Sequence, residues 1–348
     1  LLDHSNHEWH GVKNVKSVGP GTLSAGVQDR TYLDDGTLMA RPWKTMTQGV
    51  TLTGGGAGNW SSGRYQWDGV GNITAQLADG IKTESETYTY DAVSRLTGWT
   101  RAGVASETYG FDTFGNLINY NGRTLSVLGT TNRLSAAGYD ASGNMTAWNG
   151  FSFTWDALDR MTALVGNGLA RRFAVTADGE RVLEREGSSY SFSLRGLDNR
   201  VLREMKATWT GAGWSWAWEK DSIWGAGRLV ASVSASDGIR HAHVDHLGSP
   251  RLLTNRCGQR VALLDHNPWG LDRPSGNQHG ERHRFTAHQR DLGSLDRTWD
   301  DFDYLHARYY NPNIARFLSV DPVRGNPKTP QSWNLYSYVQ NNPINKID

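Results

Sequence analysis

Two groups of polar side chains have types and spacing that could support chemistry. His241, His243 and His246 lie close together in the sequence, and imidazole is a common zinc ligand. Asp321 and Asp348 lie 27 residues apart (348 minus 321). If the fold held their carboxylates within about 3 Å of each other, both could not ionise, so one would keep its proton while the other activated a water molecule.

Each group also has a simpler interpretation. His241 and His243 alternate, so on a strand they share a face, whereas His246 points the other way. A zinc site needs at least three converging ligands, and only Asp245, on the face opposite His246, lies nearby. We therefore favour strand-end or core histidines and predict no metal and no cofactor. From the sequence alone, the two distant aspartates are more simply turn residues whose carboxylates accept backbone N–H bonds.

A row of tryptophans is the third feature with a chemical interpretation. Trp214, Trp216 and Trp218 alternate along a predicted strand, so their rings share one face. An exposed row would be a platform for binding carbohydrate, whereas a buried row would belong to a core or to the lining of a cavity. Because tryptophan is highly buried on average, we predict that the row is buried.

The elements that must position these residues are strands and turns. The 348 residues include 40 glycines and 11% aromatic residues, a composition that favours short strands and turns. A frame recurs along the first half: an aromatic residue, Asp, two variable positions, a small or turn residue, Asn or Arg, and an apolar residue. Its copies are Trp67–Ile73, Tyr90–Leu96, Phe111–Leu117, Tyr139–Met145 and Trp155–Met161, with weaker copies beginning at Tyr32 and Val175.

The frame has the chemistry of a hairpin turn. Asp at the first position of a type I turn accepts backbone N–H bonds, and Gly three residues later adopts the left-handed conformation without steric cost. Segments between the turns, such as Glu86–Tyr90 and Phe151–Trp155, alternate in polarity as half-buried strands do. We therefore predict an all-β chain, one long antiparallel meander whose hairpins bury their aromatic faces side by side in a curved sheet. Helix should be scarce in the chain, and short turns are expected near Gln331–Val339.

Composition argues against several classes of protein. Lys and Arg number 36 against 35 Asp and Glu, a net charge of +1, whereas a dedicated nucleic-acid-binding protein carries a strongly basic face. No stretch reaches the roughly 18 apolar residues that span a bilayer. Cys257 is the single cysteine, which excludes an intrachain disulfide. The chain begins with Leu1, and we expect it to be a piece of a longer protein.

The repeats and the C-terminal motifs together resemble a known family. The repeats are similar to the YD (RHS) repeats of bacterial polymorphic toxins, insecticidal toxin-complex C components and teneurins, and the C-terminal motifs are similar to the RHS repeat-associated core domain. Those motifs are Val244–Arg251, Phe285–Asp291, Tyr304–Pro312, Ala315–Pro322 and Asn334–Pro343, in the order found in the family. The resemblance implies YD repeats over residues 1–240 and a core domain over residues 241–348.

The resemblance also implies a function. In that family the repeats wind into a hollow β-shell around a variable C-terminal effector. The core domain caps the shell and, as an aspartyl autoprotease, cuts the chain after an Asp-Pro-x-Gly-Leu stretch. Asp321 and Asp348 are then the catalytic pair, and the cleavage site and effector are expected beyond the present sequence. Two departures lie near the site: Asp321–Gly325 has one residue more than the usual motif, and Asn311 stands where many relatives have Asp.

We accordingly predict a structural shell and processing protein, secreted or at the bacterial cell surface. Its expected partner is its own effector segment, absent from this chain, with secretion machinery or cell-surface carbohydrate as further candidates. We expect no nucleic-acid partner. The alternative function is an adhesion or carbohydrate-binding module, which exposed tryptophans would favour. A glycosidase would need two carboxylates about 5–10 Å apart in an open cleft, for which the sequence offers no basis.

Overall fold

The described residues up to Thr124 form a single antiparallel sheet. The computed structural model describes residues 17–18, 21–25, 47–51, 60–79, 82–273, 280–293, 300–323 and 325–348. Within them, ten strands pair in sequence order, each antiparallel to the next. These strands are β1 (Ser17–Val18), β2 (Gly21–Ala25), β3 (Thr47–Thr51), β4 (Trp60–Trp67), β5 (Ile73–Leu77), β6 (Glu86–Tyr90), β7 (Leu96–Arg101), β8 (Val104–Phe111), β9 (Leu117–Tyr120) and β10 (Arg123–Thr124).

A second, thirteen-stranded sheet of the described residues follows, again in sequence order, with β13 and β25 at its two open edges. A short pair, β11 (Val127–Leu128) and β12 (Arg133–Leu134), lies between the two sheets in the sequence. The thirteen strands are β13 (Gly138–Tyr139), β14 (Met145–Trp148), β15 (Phe151–Trp155), β16 (Met161–Gly166), β17 (Leu169–Val175), β18 (Arg181–Glu186), β19 (Ser189–Arg195), β20 (Val201–Trp209), β21 (Trp214–Gly225), β22 (Arg228–Ser234), β23 (Gly238–Val244), β24 (Pro250–Asn255) and β25 (Arg260–Leu263).

The C-terminal segment, by which we mean the described residues after β25 (264–348), adds a small sheet and short turns. Its four strands are β26 (Gln289–Asp291), β27 (Phe302–Leu305), β28 (Arg308–Asn311) and β29 (Arg316–Phe317). Helical structure in the described residues is limited to the 3-10 segments Phe285–Ala287, Pro330–Trp333 and Val339–Asn341. The predictions of an all-β antiparallel meander and of short turns near Gln331–Val339 are confirmed. The division at residue 240 falls inside β23 and stays a prediction, and the weak frame copy at Tyr32 lies outside the described residues.

Each of the five main frame copies forms the predicted turn around its aspartate. Asp112 Oδ1 accepts the backbone N–H groups of Phe114 at 2.9 Å and Asn116 at 2.8 Å, while Oδ2 accepts from Asn116 Nδ2 at 2.8 Å. The same pattern recurs at Asp68, Asp91 and Asp156. The position three residues after the aspartate has a positive φ whether the residue is Gly (Gly71, Gly115, Gly143) or not (Ser94, Asp159). The left-handed conformation is therefore required by the turn itself.

The Asn or Arg of the frame joins one turn to the next. Asn72 Nδ2 donates to Ser94 Oγ at 3.1 Å, and Asn144 Nδ2 donates to Asp159 Oδ1 at 2.7 Å. Arg160 Nη1 donates to the carbonyl oxygen of Thr176 at 2.6 Å. These bonds line the turns up along one edge of the sheets. We call this line of turns, at residues 68–72, 91–95, 112–116, 140–144 and 156–160, the turn row.

The C-terminal segment packs on one face of the sheets, which we call the inner face. Aromatic rings meet there edge to face: Phe151 and Phe302 have ring centroids 5.2 Å apart, and Tyr109 and Trp269 have centroids 5.6 Å apart. One continuous buried cluster includes strand residues such as Trp99 together with residues of the C-terminal segment. The hairpins thus bury their rings against that segment as well as against one another.

The same segment runs along the turn row and hydrogen-bonds to it. Asn342 Nδ2 donates to Asn72 Oδ1 at 3.0 Å, and Asn334 Nδ2 donates to Asn116 Oδ1 at 2.8 Å. The Tyr336 hydroxyl donates to the carbonyl oxygen of Gly143, in the turn at residues 140–144, at 2.7 Å. The amides that build the turns therefore also bind the C-terminal segment.

The predicted burial of the tryptophan row is wrong. Trp214 is 48% exposed, Trp216 is 56% exposed, and Trp218 is half-buried. The C-terminal segment covers the inner face of β20 at Glu204, which is buried and accepts a hydrogen bond from Gln289. The tryptophans lie on the opposite, outer face, and Ser215 and Ala217, which alternate with them, are exposed on the inner face. Alternation identifies a shared face but does not show that this end of the hairpin extends beyond the C-terminal segment.

The turn geometry predicts a specific loss of stability. Asp112→Ala removes the acceptor of three hydrogen bonds and should lower the free energy of unfolding by about 1–3 kcal/mol. Asp112→Asn keeps one carbonyl oxygen for the backbone N–H groups and should recover much of that loss. Thr113→Ala, at an exposed position of the same turn, is the matched control. Urea denaturation measures the free energy of unfolding of the three variants. Equal stabilities for Asp112→Ala and Thr113→Ala would contradict the role of Asp112 in stabilising the turn.

Candidate functional site

Arg308 is a buried cation that contacts both predicted catalytic aspartates. It begins β28, and its guanidinium lies over the Phe317 ring, 3.6 Å from the ring centroid. Its Nη2 atom lies 2.9 Å from Asp321 Oδ2 and 3.4 Å from Asp348 Oδ2. Because both carboxylates contact one nitrogen, the structure brings together the two aspartates that the family resemblance implies as a pair.

Asp321 also initiates a turn. Its Oδ1 atom accepts the backbone N–H of Val323 at 2.8 Å, and its own N–H donates to the carbonyl oxygen of Leu335 at 3.0 Å. The turn role favoured from the sequence alone and the contact with Arg308 therefore occur in the same side chain. The backbone bonds fix the direction of the carboxylate, as a general base would require.

The carboxyl group of Asp348 has a different environment from that of Asp321. Partial burial is the largest influence on Asp348 and raises its pKa; the Arg308 guanidinium opposes this shift, and the Asp321 charge adds to it. A carboxyl group that retains its proton beside an ionised neighbour can act as an acid while the neighbour acts as a base. The arrangement is thus chemically able to perform acid–base catalysis, and the catalytic role of the pair stays a prediction.

A cavity of about 340 Å³ opens beside Asp348. Ile347 and Asp348 form part of its wall, and the rest comes from the 13-stranded sheet and from the motifs of the C-terminal segment. Its lining is rich in basic and imidazole groups: Arg195, Arg200, Arg228, His246, His283, His288 and His306. Asp198 and Asp348 are the acidic residues of that lining.

Two of these histidines meet across the cavity wall. The ring centroids of His288 and His306 are 5.5 Å apart, and His288 Nδ1 lies 2.8 Å from the Thr286 hydroxyl. Burial lowers the pKa of His288 to about 3, and the neighbouring His306, His283 and Arg200 act in the same direction. Sequence analysis missed both residues, although each lies inside a quoted motif, Phe285–Asp291 or Tyr304–Pro312.

Two of the three histidines considered for metal binding have side-chain hydrogen-bond partners, whereas the buried Nδ1 of His241 has none among the described residues. His243 is buried, and its Nε2 lies 3.0 Å from the Thr254 hydroxyl. His246 Nε2 donates to the carbonyl oxygen of Ile344 at 2.7 Å, so its Nδ1 accepts from the Tyr65 hydroxyl at 3.1 Å. Across the ranges described above, no group of three or more His, Cys, Asp or Glu residues is placed to hold a metal ion. His246 instead ties β4 to the C-terminal segment.

Buried ion pairs hold the C-terminal segment in place. Arg290 and Asp303 are both fully buried, and the guanidinium binds the two carboxylate oxygens at 2.7 and 2.8 Å. Arg181, on β18, joins this segment through Asp291 at 2.5 Å and the Tyr309 hydroxyl at 2.7 Å. Removing one partner of such a pair leaves an uncompensated buried charge, which costs about 3–5 kcal/mol. The position of Arg308 is thereby fixed relative to the sheet.

Comparison with known proteins identifies what the chain is similar to. No family model matches it. It is 26% identical over 271 residues to the tRNA3(Ser)-specific nuclease WapA of Bacillus spizizenii, an alignment that covers 75% of this chain and 10% of that protein. It is 25% identical over 356 residues to the double-stranded DNA deaminase toxin A of Burkholderia cenocepacia, covering 89% of this chain and 24% of the toxin.

Solved structures agree with the fold. The crystal structure of TcdB2-TccC3 superposes with a TM-score of 0.65 at 20% identity, over 98% of this chain and 20% of that chain. The predicted resemblance to RHS/YD-repeat toxins is confirmed. The chain spans about a tenth to a quarter of the length of the relatives named here. No helix in the described parts of this RHS-like chain is long and apolar enough to cross a membrane.

The environment of His288 predicts a pH dependence of stability. Its folded-state pKa of about 3 lies below the ordinary value of 6.5, so the unfolded chain binds more protons between these values. Stability is therefore lost as the pH falls from about 6.5 towards about 3. His288→Asn, which keeps a hydrogen-bonding partner for the Thr286 hydroxyl, should lose less stability across that range. Denaturation curves at several pH values measure the difference, and parallel losses in both proteins would contradict this assignment.

Proposed function

We propose that the chain is part of an RHS-type shell that holds a C-terminal effector and carries the segment that releases it. The observation that supports the proposal best is the contact between residues 334–345 and the turn row, together with the two aspartates that meet at Arg308. A segment bonded to the wall stays with the shell when the chain beyond it is cut. Cleavage at this point would therefore separate shell from effector without dismantling the shell.

The proposed chemistry is peptide hydrolysis by Asp321 and Asp348, the two aspartates that contact Arg308. Asp321, oriented by Arg308 and the Val323 N–H, takes a proton from a water molecule. The water oxygen then bonds to the carbonyl carbon of the scissile peptide. Asp348, whose pKa is raised by burial, gives its proton to the leaving nitrogen as the carbon–nitrogen bond breaks. The two aspartates thus have different roles because their surroundings differ.

The effector is proposed to be a toxic enzyme delivered outside the producing cell. Relatives of this chain are named as a tRNA nuclease and as a DNA deaminase toxin. The present chain accounts for only a small part of each, so their activities cannot be assigned to it. We propose that this chain supplies the container, and that residues beyond it supply the activity.

Autoproteolysis is tested with the gene extended by its natural downstream sequence. The parent protein should give two fragments on a denaturing gel, whereas Asp321→Asn and Asp348→Asn should each leave one intact chain. Each amide keeps the shape of the side chain but can neither take nor give the proton in question. The gel band pattern, confirmed by the intact mass of each fragment, is the measurement.

The matched control is Asp198→Asn, in the lining of the cavity beside Asp348 but paired with Arg200. It should cleave as the parent does. Cleavage that continues in both Asp321→Asn and Asp348→Asn would remove the autoprotease assignment. Fragments that separate on a native gel without denaturant would contradict encapsulation while leaving autoproteolysis intact, so the two parts of the proposal can fail independently.

The adhesion alternative has one observation in its favour. Trp214 and Trp216 expose about half of their surface on the outer face of the sheet, where a carbohydrate could stack on them. The backbone of the same strand, however, points to a different partner, as argued below. Binding of soluble oligosaccharides by the parent chain, lost in Trp216→Ala, would favour the adhesion function.

A further inference from the structure

The hairpin formed by β20 and β21 has a free edge. On one side, β21 pairs with β20 from Trp214 to Asp221. On the other side, its pairing with β22 begins only at Lys220, opposite Ser234. In the described part of the chain, the run Trp214–Glu219 therefore has a neighbouring strand on one side only.

The free backbone groups belong to the tryptophans. The hairpin closes with a hydrogen bond from the N–H of Thr210 to the carbonyl oxygen of Gly213, 3.0 Å long, so Gly213 directs its backbone towards β20. Backbone direction alternates along an antiparallel strand. Trp214, Trp216 and Trp218 therefore direct their N–H and C=O groups away from β20, towards the free edge. An edge of this kind is a template for another strand.

The rings of the same tryptophans form an aromatic surface on the outer face. Trp214 contacts Tyr190, with ring centroids 4.9 Å apart, and Trp216 contacts Phe192, with centroids 5.1 Å apart. Protein edges that avoid pairing usually carry lysine, proline or another charged residue. Within the free run, Trp214–Trp218 contains none of these, and Glu219 at its end is the one charged residue. Both its backbone and its side chains are thus suited to contact with a protein strand.

We propose that the edge pairs with the same edge of a second copy of this chain, antiparallel and centred on Trp216. In that register Trp216 lies opposite Trp216 of the second copy, and Trp214 lies opposite Trp218. Every outward N–H then meets an outward C=O, and the aromatic faces of the two copies lie on the same side. On the other face Ser215 lies opposite Ala217, so small side chains meet and no like charges are opposed.

The surrounding elements limit the length of this pairing. At one end the run stops at the hairpin turn, whose residues Gly211, Ala212 and Gly213 are small. At the other end β22 begins to occupy the edge at Ser234. The self-complementary register uses five of the six residues between these limits, Trp214 to Trp218. This inference is independent of the proposed function, because it involves the outer face and none of the residues around Arg308.

Cross-linking tests the register. In the chain with its exposed cysteine removed (Cys257→Ser), Trp216→Cys places two thiols on strands whose Cα atoms are about 5.5 Å apart, within disulfide range. Mild oxidation should give a covalent dimer on a non-reducing gel. Ala217→Cys is the matched control: it lies opposite Ser215 of the second copy, and so should cross-link far less.

Solution mass tests the interface itself. Light scattering over a concentration series should show a dimer for the parent and association weakened by about tenfold or more for Trp216→Lys, which opposes two like charges. Leu202→Lys changes an exposed apolar residue on β20, away from the edge, and should still dimerise. A parent that stays monomeric, cross-linking equally strong at both cysteines, or oligosaccharide binding to a monomer through Trp216 would each overturn the proposal.

Discussion

The hydrogen bonds around one aspartate per hairpin set the geometry on which the rest of the structure depends. Each carboxylate accepts two backbone N–H groups and the side chain of the Asn or Arg four residues later, as at Asp112 and Asn116. That second side chain then reaches the neighbouring turn. Because the five turns of the turn row all repeat this bond, they align, and the aromatic residues beside them pack on the same side of the sheet.

The turn row in turn determines where the C-terminal segment lies. Its asparagines bind the amide groups of the turns, and buried ion pairs such as Arg290 with Asp303 fix it against the inner face. This places Arg308 where Asp321 and Asp348 can both contact it, at the edge of a cavity lined by imidazole and guanidinium groups. The candidate site therefore depends on contacts far from it in sequence.

Much of the fold could be predicted from the sequence because the frame combines two local signals, turn chemistry and two-residue alternation. The role of the Asn or Arg in the frame could not be predicted, because the residue to which its side chain bonds lies in another hairpin. Trp214 and Trp216 were assigned to the wrong environment because alternation identifies a shared face but not which face is covered. His288 and His306 were missed because only the folded segment brings their two motifs together.

The most direct test of the account is a double-mutant cycle between Asn116 of the turn row and Asn334 of the C-terminal segment, whose side chains are joined by a buried bond of 2.8 Å. The free energy of unfolding is measured for the parent, for each alanine variant and for the double variant. The account predicts a coupling of about 0.5–3 kcal/mol. Two losses that simply add would contradict the docking of the C-terminal segment on the turns.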